Sequence, residues 1–178
     1  LLSLPLLIAG PRDPRVVMMV QPVLLVVGSV SIAGTVLRMV GPGRARSWAA
    51  VGAGVGFATL PGVGLSVESF WLGLGAAACM AAAMWALLAS ERLTNRWTWA
   101  FGVAVGAMLL SRTMVVAFVP GLAAAAVLLA GRRREAWIGL LRAGAVTVVV
   151  AGPWWVVEWP TISQYLLSYG IGPRASLF

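Results

Sequence analysis

The sequence contains no lysine and no histidine, and all 13 of its basic residues are arginine. That absence excludes a phosphate-loop lysine, a Schiff-base lysine, a histidine general base and a histidine metal site. Acidic residues are scarce as well, five in 178. Cys79 is the only cysteine and sits inside an apolar block, so no intrachain disulfide can form and redox compartment cannot be read from it. Charged residues make up 10% of the chain, against roughly 25% in an ordinary soluble domain.

In place of charge there is apolar side chain: 61% of residues are hydrophobic and the mean hydropathy is +0.95. These residues come in long blocks rather than at amphipathic spacing, which describes helices that are apolar all round and whose solvent is lipid. The expected fold class is all-α, a polytopic transmembrane bundle of about six spans. The Arg-only, Ala/Gly/Val-rich composition resembles that of a high-GC bacterial genome. The chain opens on Leu1 within an apolar stretch and stops at Phe178 in a loop. No basic n-region of a signal peptide precedes it, and both ends are expected to be truncations of a longer polypeptide.

A bilayer core of ~30 Å needs about 20 helical residues. Leu1 to Ala9 is too short to span and is ended by GPRDPR; segment 1–15 reads as a truncated outer-face piece. Val16 to Leu37 is the first full block, with Pro22 tolerated near its start, followed by the basic loop RMVGPGRAR. Ser47 to Leu65 is glycine-rich, with Gly52 and Gly56 four apart and Pro61 near its end. That spacing predicts a flat stripe for close helix approach and hence an interior helix. Phe70 to Ser90 spans again and ERLTNR closes it. Thr98 to Gly131 would run about 51 Å as one helix. A cut at LSRTM gives two helices meeting in a tight turn, the first carrying Gly102 and Gly106. After GRRRE, Trp137 to Val157 makes the last span, broken by Pro153. The transmembrane domain is thus 16–157, and 158–178 begins an outer-face loop.

Orientation follows from arginine placement, because loops kept in the cytoplasm carry the excess. Alternate loops hold eight arginines (Arg38, Arg44, Arg46, Arg92, Arg96, Arg132, Arg133, Arg134), and the opposite set holds four (Arg12, Arg15, Arg112, Arg174). Loops 38–46, 91–96 and 131–135 are therefore predicted cytoplasmic, in a multi-pass protein of the bacterial inner membrane. Glu68, the Arg112 turn and the tail from Glu158 fall on the outer face.

On that face Glu68, Arg112, Glu158 and Arg174 are the charged groups, joined by Gln164, Tyr165 and Tyr169. Glu68 reads either as a loop carboxylate complementing a helix start or as a contact to a polar substrate. Arg112 reads either as a guanidinium that snorkels and caps a turn or as a ligand for a lipid phosphate. Trp154, Trp155 and Trp159 form an interfacial aromatic belt in the simplest reading. Tyr165 and Tyr169 share a face if SQYLLSYG is helical, making a short amphipathic segment able to lie along the surface. The sequence holds no glycine-rich phosphate loop, paired catalytic carboxylates, metal-ligand cluster or Ser/His/Asp set.

Three passages carry a family resemblance. ATLPGVGLSVESFWLGLGAAACMAAAMWALLAS is similar to a helix ending in proline, an acidic residue after a short outer loop, and a returning small-residue helix. WAFGVAVGAMLLSRTMVVAFVPGLAAAAVLL resembles a hairpin with a basic residue at its turn, here Arg112. AGPWWVVEWPTISQYLLSYGIG resembles a "PWW" helix end followed by a loop with "YL" and "GYG". Their order, spacing and sidedness, over roughly Ser47 to Gly172, resemble the C-type (GT-C) membrane glycosyltransferases, specifically relatives of protein O-mannosyltransferases and aminoarabinose transferases.

The resemblance implies transfer of a sugar from a polyprenyl-phosphate carrier, on the outer face, to a hydroxyl of a protein, lipid or glycan acceptor. Membrane lipids are the other partners and nucleic acid is not one. It implies Arg112 as the phosphate partner, Glu68 as an outer-face acidic residue, and Tyr165, Tyr169 and Gly170 in the loop over the substrate cavity. No cofactor is certain, with room for a divalent metal in the full-length enzyme. The family's first outer loop, with its catalytic acidic motif, is expected upstream of Leu1; Asp13 in GPRDPR does not match that motif, so this fragment alone is expected to be inactive. Two other readings compete: a secondary transporter or permease fragment, which glycine-rich helices also suit, and a non-catalytic membrane assembly subunit.

Overall fold

The computed structural model describes residues 14–61, 63, 73–111 and 113–167. All the secondary structure among the described residues is helical: α1 Pro14–Met39, α2 Arg44–Thr59, α3 Gly73–Ala89, α4 Trp97–Ser111, a 3-10 segment Thr113–Phe118, α5 Val119–Ala130, α6 Arg134–Val157 and α7 Trp159–Leu166.

Local chemistry explains where these helices stop. Leu60 precedes Pro61, whose ring disfavours the helical region for its neighbour; Leu60 takes φ −58, ψ 129 and α2 ends at Thr59. Gly131, at φ 56, closes α5 with its N–H on the carbonyl of Val127 at 3.1 Å, a left-handed stop that glycine adopts without steric cost. α5 begins with Pro120 in its first turn, where a missing N–H costs nothing. The expected break near LSRTM is present, but as a six-residue 3-10 segment rather than a tight turn. Pro153 does not break the last helix: α6 continues through it to Val157, just as α1 continues through Pro22.

Two stretches, Val20–Met39 of α1 and Arg134–Val157 of α6, are long and apolar enough to cross a membrane, while α3 and α4 are apolar but shorter. The 15 residues of α4 rise about 22 Å, less than a ~30 Å hydrocarbon core. Six full-length spans are thus not all present among the described residues: Pro61 follows the end of α2, and the 3-10 segment takes up residues 113–118 ahead of α5.

Close contacts give the directions of packing. Gly28 and Gly34 of α1 face Ala78 and Trp85 of α3, so these helices run parallel; Gly54 of α2 faces Ser29 and Ala33 of α1, an antiparallel pair. Gly75 of α3 faces Ser111 of α4, antiparallel, and Gly102 and Gly106 of α4 face Ala143 and Val150 of α6, parallel. The helices therefore adjoin in the order α2, α1, α3, α4, α6. A Cβ at Gly102 would stand 2.5 Å from the Ala143 carbonyl oxygen, and one at Gly106 2.8 Å from Val150. This glycine pair is an interface, as its spacing suggested. Gly52 and Gly56 meet nothing within 4 Å among the described residues, and Gly54 between them makes the α1 contact, 3.0 Å from the Ser29 carbonyl oxygen.

The interior combines many small residues with buried Leu74, Leu87, Leu93, Phe101 and Met108. Ala78, Ala83, Ala89, Ala126 and Ala136 are fully buried, and Gln21, Ser31, Thr35, Ser90 and Thr98 are buried polar residues. Large apolar residues face outward, with Leu128 82% and Val149 74% exposed. Small residues at helix contacts, with large apolar side chains left on the outer surface, suit helices whose surroundings are apolar. Cys79 is buried and unpaired.

Candidate functional site

The helix directions collect three connections at one end: 40–43, 90–96 and 131–133. Trp85 at the end of α3 packs on Trp97 at the start of α4 with centroids 5.1 Å apart, and the Trp137 indole N–H donates to the Gly131 carbonyl at 3.0 Å. This end carries Arg38, Arg44, Arg46, Arg92, Arg96, Arg132, Arg133 and Arg134, all but the half-buried Arg46 exposed. The two sets of loops separated by the sequence thus lie at opposite ends of the bundle where they are described.

At the opposite end, α6 passes into α7 at Glu158 (φ −91, ψ 5), whose carbonyl accepts from the Ile162 N–H at 2.9 Å. The helix α7 is amphipathic, buries Ile162 and rests against the 3-10 segment. Trp154 and Trp155 meet edge to face at 6.3 Å, and Trp154 and Trp159 are exposed, as an interfacial belt requires. The Trp155 indole N–H and the Gln21 Oε1 at the α1 N-terminal end are buried without a hydrogen-bond partner among the described residues.

Of the residues expected at the site, Glu68, Arg112, Tyr169 and Gly170 lie outside the described residues, as does Arg174. Ser111 and Thr113, on either side of position 112, end α4 and begin the 3-10 segment. Tyr165 lies on α7, so the expected helix through SQYLL is present to Leu166. Among the described residues no cluster of three or more metal-ligating side chains occurs.

At the arginine-rich end the structure adds a feature that the sequence reading passed over. A cavity of about 220 Å³ lies between α4, α6 and the 90–96 turn, lined by Leu93, Thr98, Trp99, Glu135, Gly139 and Arg142, among others. Arg142 was legible as the one charge inside the Trp137–Val157 block. It escapes a topology count because it belongs to no loop. Thr98, also in the lining, is 3% exposed, its hydroxyl oxygen sealed from solvent and without a hydrogen-bond partner among the described residues.

The turn flooring this cavity is held rigidly. The buried Ser90 hydroxyl donates to the Leu87 carbonyl at 2.6 Å and accepts from the Leu93 N–H at 3.0 Å. Asn95 donates from Nδ2 to the Ala89 carbonyl and accepts at Oδ1 from the Trp97 N–H, both at 2.9 Å. These bonds hold Glu91, Arg92 and Leu93 at φ 48, 65 and 65, a left-handed path costing roughly 1–2 kcal/mol per non-glycine residue. The strained path brings the Leu93 carbonyl against Gly139, where a Cβ would collide with it.

In comparisons with known proteins, no family model matches this chain, and no curated protein or solved structure matches it.

Proposed function

We propose that this chain is part of a multi-span membrane glycosyltransferase of the C type, with its arginine-rich loops in the cytoplasm and its sugar-transfer site at the opposite, outer end. The reading is supported above all by one relationship: α7, from the passage after PWW, rests against the 3-10 segment that follows position 112. Two of the three passages that carry the family resemblance, distant in sequence, thus meet at the end away from the arginine loops.

In the proposed reaction an acceptor hydroxyl attacks the anomeric carbon of a polyprenyl-phosphate sugar. A carboxylate acting as general base takes the hydroxyl proton as the new glycosidic bond forms and the bond to the phosphate oxygen breaks. The lipid phosphate leaves, and the Arg112 guanidinium neutralises its developing charge. Glu68, Tyr165, Tyr169 and Gly170 are proposed to border the substrate.

The test uses the full-length protein in membranes, supplied with a labelled sugar on a polyprenyl-phosphate carrier. Incorporation into acceptor is expected, and Arg112→Ala should lower it about 10²–10³-fold, the scale for loss of one charge-stabilising donor. Wild-type turnover in that variant removes Arg112 from the mechanism. Absence of incorporation together with uptake of a solute into vesicles replaces the transferase reading with a transporter.

A further inference from the structure

We propose that the arginine-rich end of the bundle is a docking surface for anionic phospholipid headgroups, with Trp48, Trp99 and Trp137 setting its depth at the inner edge of the headgroup layer. The proposal rests on the membrane placement proposed for the chain and not on the transferase chemistry.

Every exposed tryptophan among the described residues lies close to a helix end: Trp48, Trp99 and Trp137 near the starts of α2, α4 and α6, and Trp154 and Trp159 at the opposite end. The first three stand about 6, 3 and 5 Å along their helices from the first residue, similar levels on three separate helices. On α6, Trp137 and Trp154 are about 25 Å apart along the axis, close to the ~27–30 Å hydrocarbon thickness of natural bilayers. Indoles concentrate at the two interfaces of such a slab. The Trp137 indole is held with the matching polarity: its N–H donates to the Gly131 carbonyl at 3.0 Å, toward the arginine loops, while its ring stays 43% exposed.

Between the two tryptophan levels the large exposed side chains are apolar, among them Val51 and Val55 on α2, Val103 on α4, and Val148 and Val149 on α6. Arg142 is the single charged residue of the described helices between these levels. At about 7 Å from Trp137 along α6 it lies within snorkelling reach of the same headgroup layer.

At and just outside the level of Trp48, Trp99 and Trp137, the three connections and their flanks carry eight arginines against two acids, Glu91 and Glu135. All the arginines but Arg46 are exposed. The phosphates of a leaflet lie just outside its hydrocarbon boundary, and the guanidinium fork pairs with phosphate oxygens. A zwitterionic headgroup presents its own ammonium to the arginines and an anionic one does not, so net charge selects the anionic class. An acidic protein or a nucleic acid would also answer the arginines, but neither accounts for exposed indoles at similar levels bordering an apolar band.

The full chain is reconstituted in phosphatidylcholine vesicles containing traces of spin-labelled phosphatidylglycerol or phosphatidylcholine, and the protein-restricted fraction of each lipid is read by electron paramagnetic resonance. Phosphatidylglycerol should associate roughly fivefold more strongly at low salt, the scale of one arginine at an anionic surface. The ratio should fall toward unity at about 1 M salt, where the Debye length is ~3 Å. The combined Arg132→Gln, Arg133→Gln and Arg134→Gln variant should lower the ratio, and lysine at the same three positions should keep most of it, a rescue that a structural role would not give. If the glutamine variant fails to fold, Arg44→Gln with Arg96→Gln, at the other two connections, carries the same expectation. Depth is read from nitroxides at Trp99→Cys and Val149→Cys on a Cys79→Ser background, by accessibility to oxygen against a water-soluble nickel chelate. Position 99 should report the headgroup boundary and position 149 the hydrocarbon. Equal association of the two lipids with position 149 in hydrocarbon overturns the proposal and leaves the membrane placement standing. A preference unchanged by salt or by loss of the arginines overturns it too. Position 149 in water overturns both the proposal and the membrane placement.

Discussion

The Thr147 hydroxyl donates to the carbonyl oxygen of Gly102 across the α4–α6 interface at 3.0 Å, while also reaching the Ala143 carbonyl of its own helix at 3.0 Å. Only the absence of a side chain at Gly102 lets the two backbones approach closely enough for this bond. A half-buried hydroxyl bonded across two parallel helices fixes both spacing and register.

Filling that contact should therefore destabilise the bundle. Gly102→Val is expected to cost about 1–3 kcal/mol through overpacking, and Thr147→Val about 0.6 kcal/mol, the average for a hydrogen bond between membrane helices. Gly52→Ala should cost nothing, since its Cβ enters open space and alanine is the better helix former. Thermal unfolding in detergent ranks the three.

The 90–96 turn gives a prediction of both signs. Ser90→Ala removes a buried hydroxyl that serves as donor and acceptor, and should cost about 1–2 kcal/mol. Arg92→Gly relieves a left-handed non-glycine residue (φ 65), and should stabilise by up to about 1 kcal/mol. Chemical unfolding of each variant reads the sign directly.

Sidedness is checked by labelling. On a Cys79→Ser background, Arg133→Cys should react with an impermeant thiol reagent only from the cytoplasm, and Ala117→Cys, exposed in the 3-10 segment, only from outside. Wild-type Cys79, buried in α3, should react from neither. Reaction of position 133 from outside would invert the orientation.

Apolar blocks and charged breaks made most of the helix order legible, including the interruption beside Arg112 and the closure of α5 at Gly131. Faces were a different matter. Gly52 and Gly56 share a face with each other as their spacing requires, yet Gly54 is the residue that meets α1. A helix apolar all round gives no sign of which side has a protein neighbour, and the hydropathy of α1 and α4 is nearly without sidedness. The amphipathic α7 is the one whose buried side could be foreseen.

Two further features could not be read locally. Three consecutive left-handed residues lack the glycine that usually announces such a turn; the path is imposed by Ser90 and Asn95 together. Pro153 lies four residues before the end of α6, where the helix tolerates it because few bonds remain to be lost. Glu68, Arg112 and Tyr169 are singled out by charge placement and helical spacing and Gly170 by resemblance, and all four lie outside the described residues.

The parallel pairing of α1 with α3 and of α4 with α6 bears on biogenesis. The earlier helix of each pair, α1 or α4, leaves the ribosome before its partner has been made, so its contact surface must wait through the synthesis of an intervening segment. A nascent chain arrested after Ala130 would carry the Gly102–Gly106 surface uncovered, exposed to whatever meets it until α6 has been made.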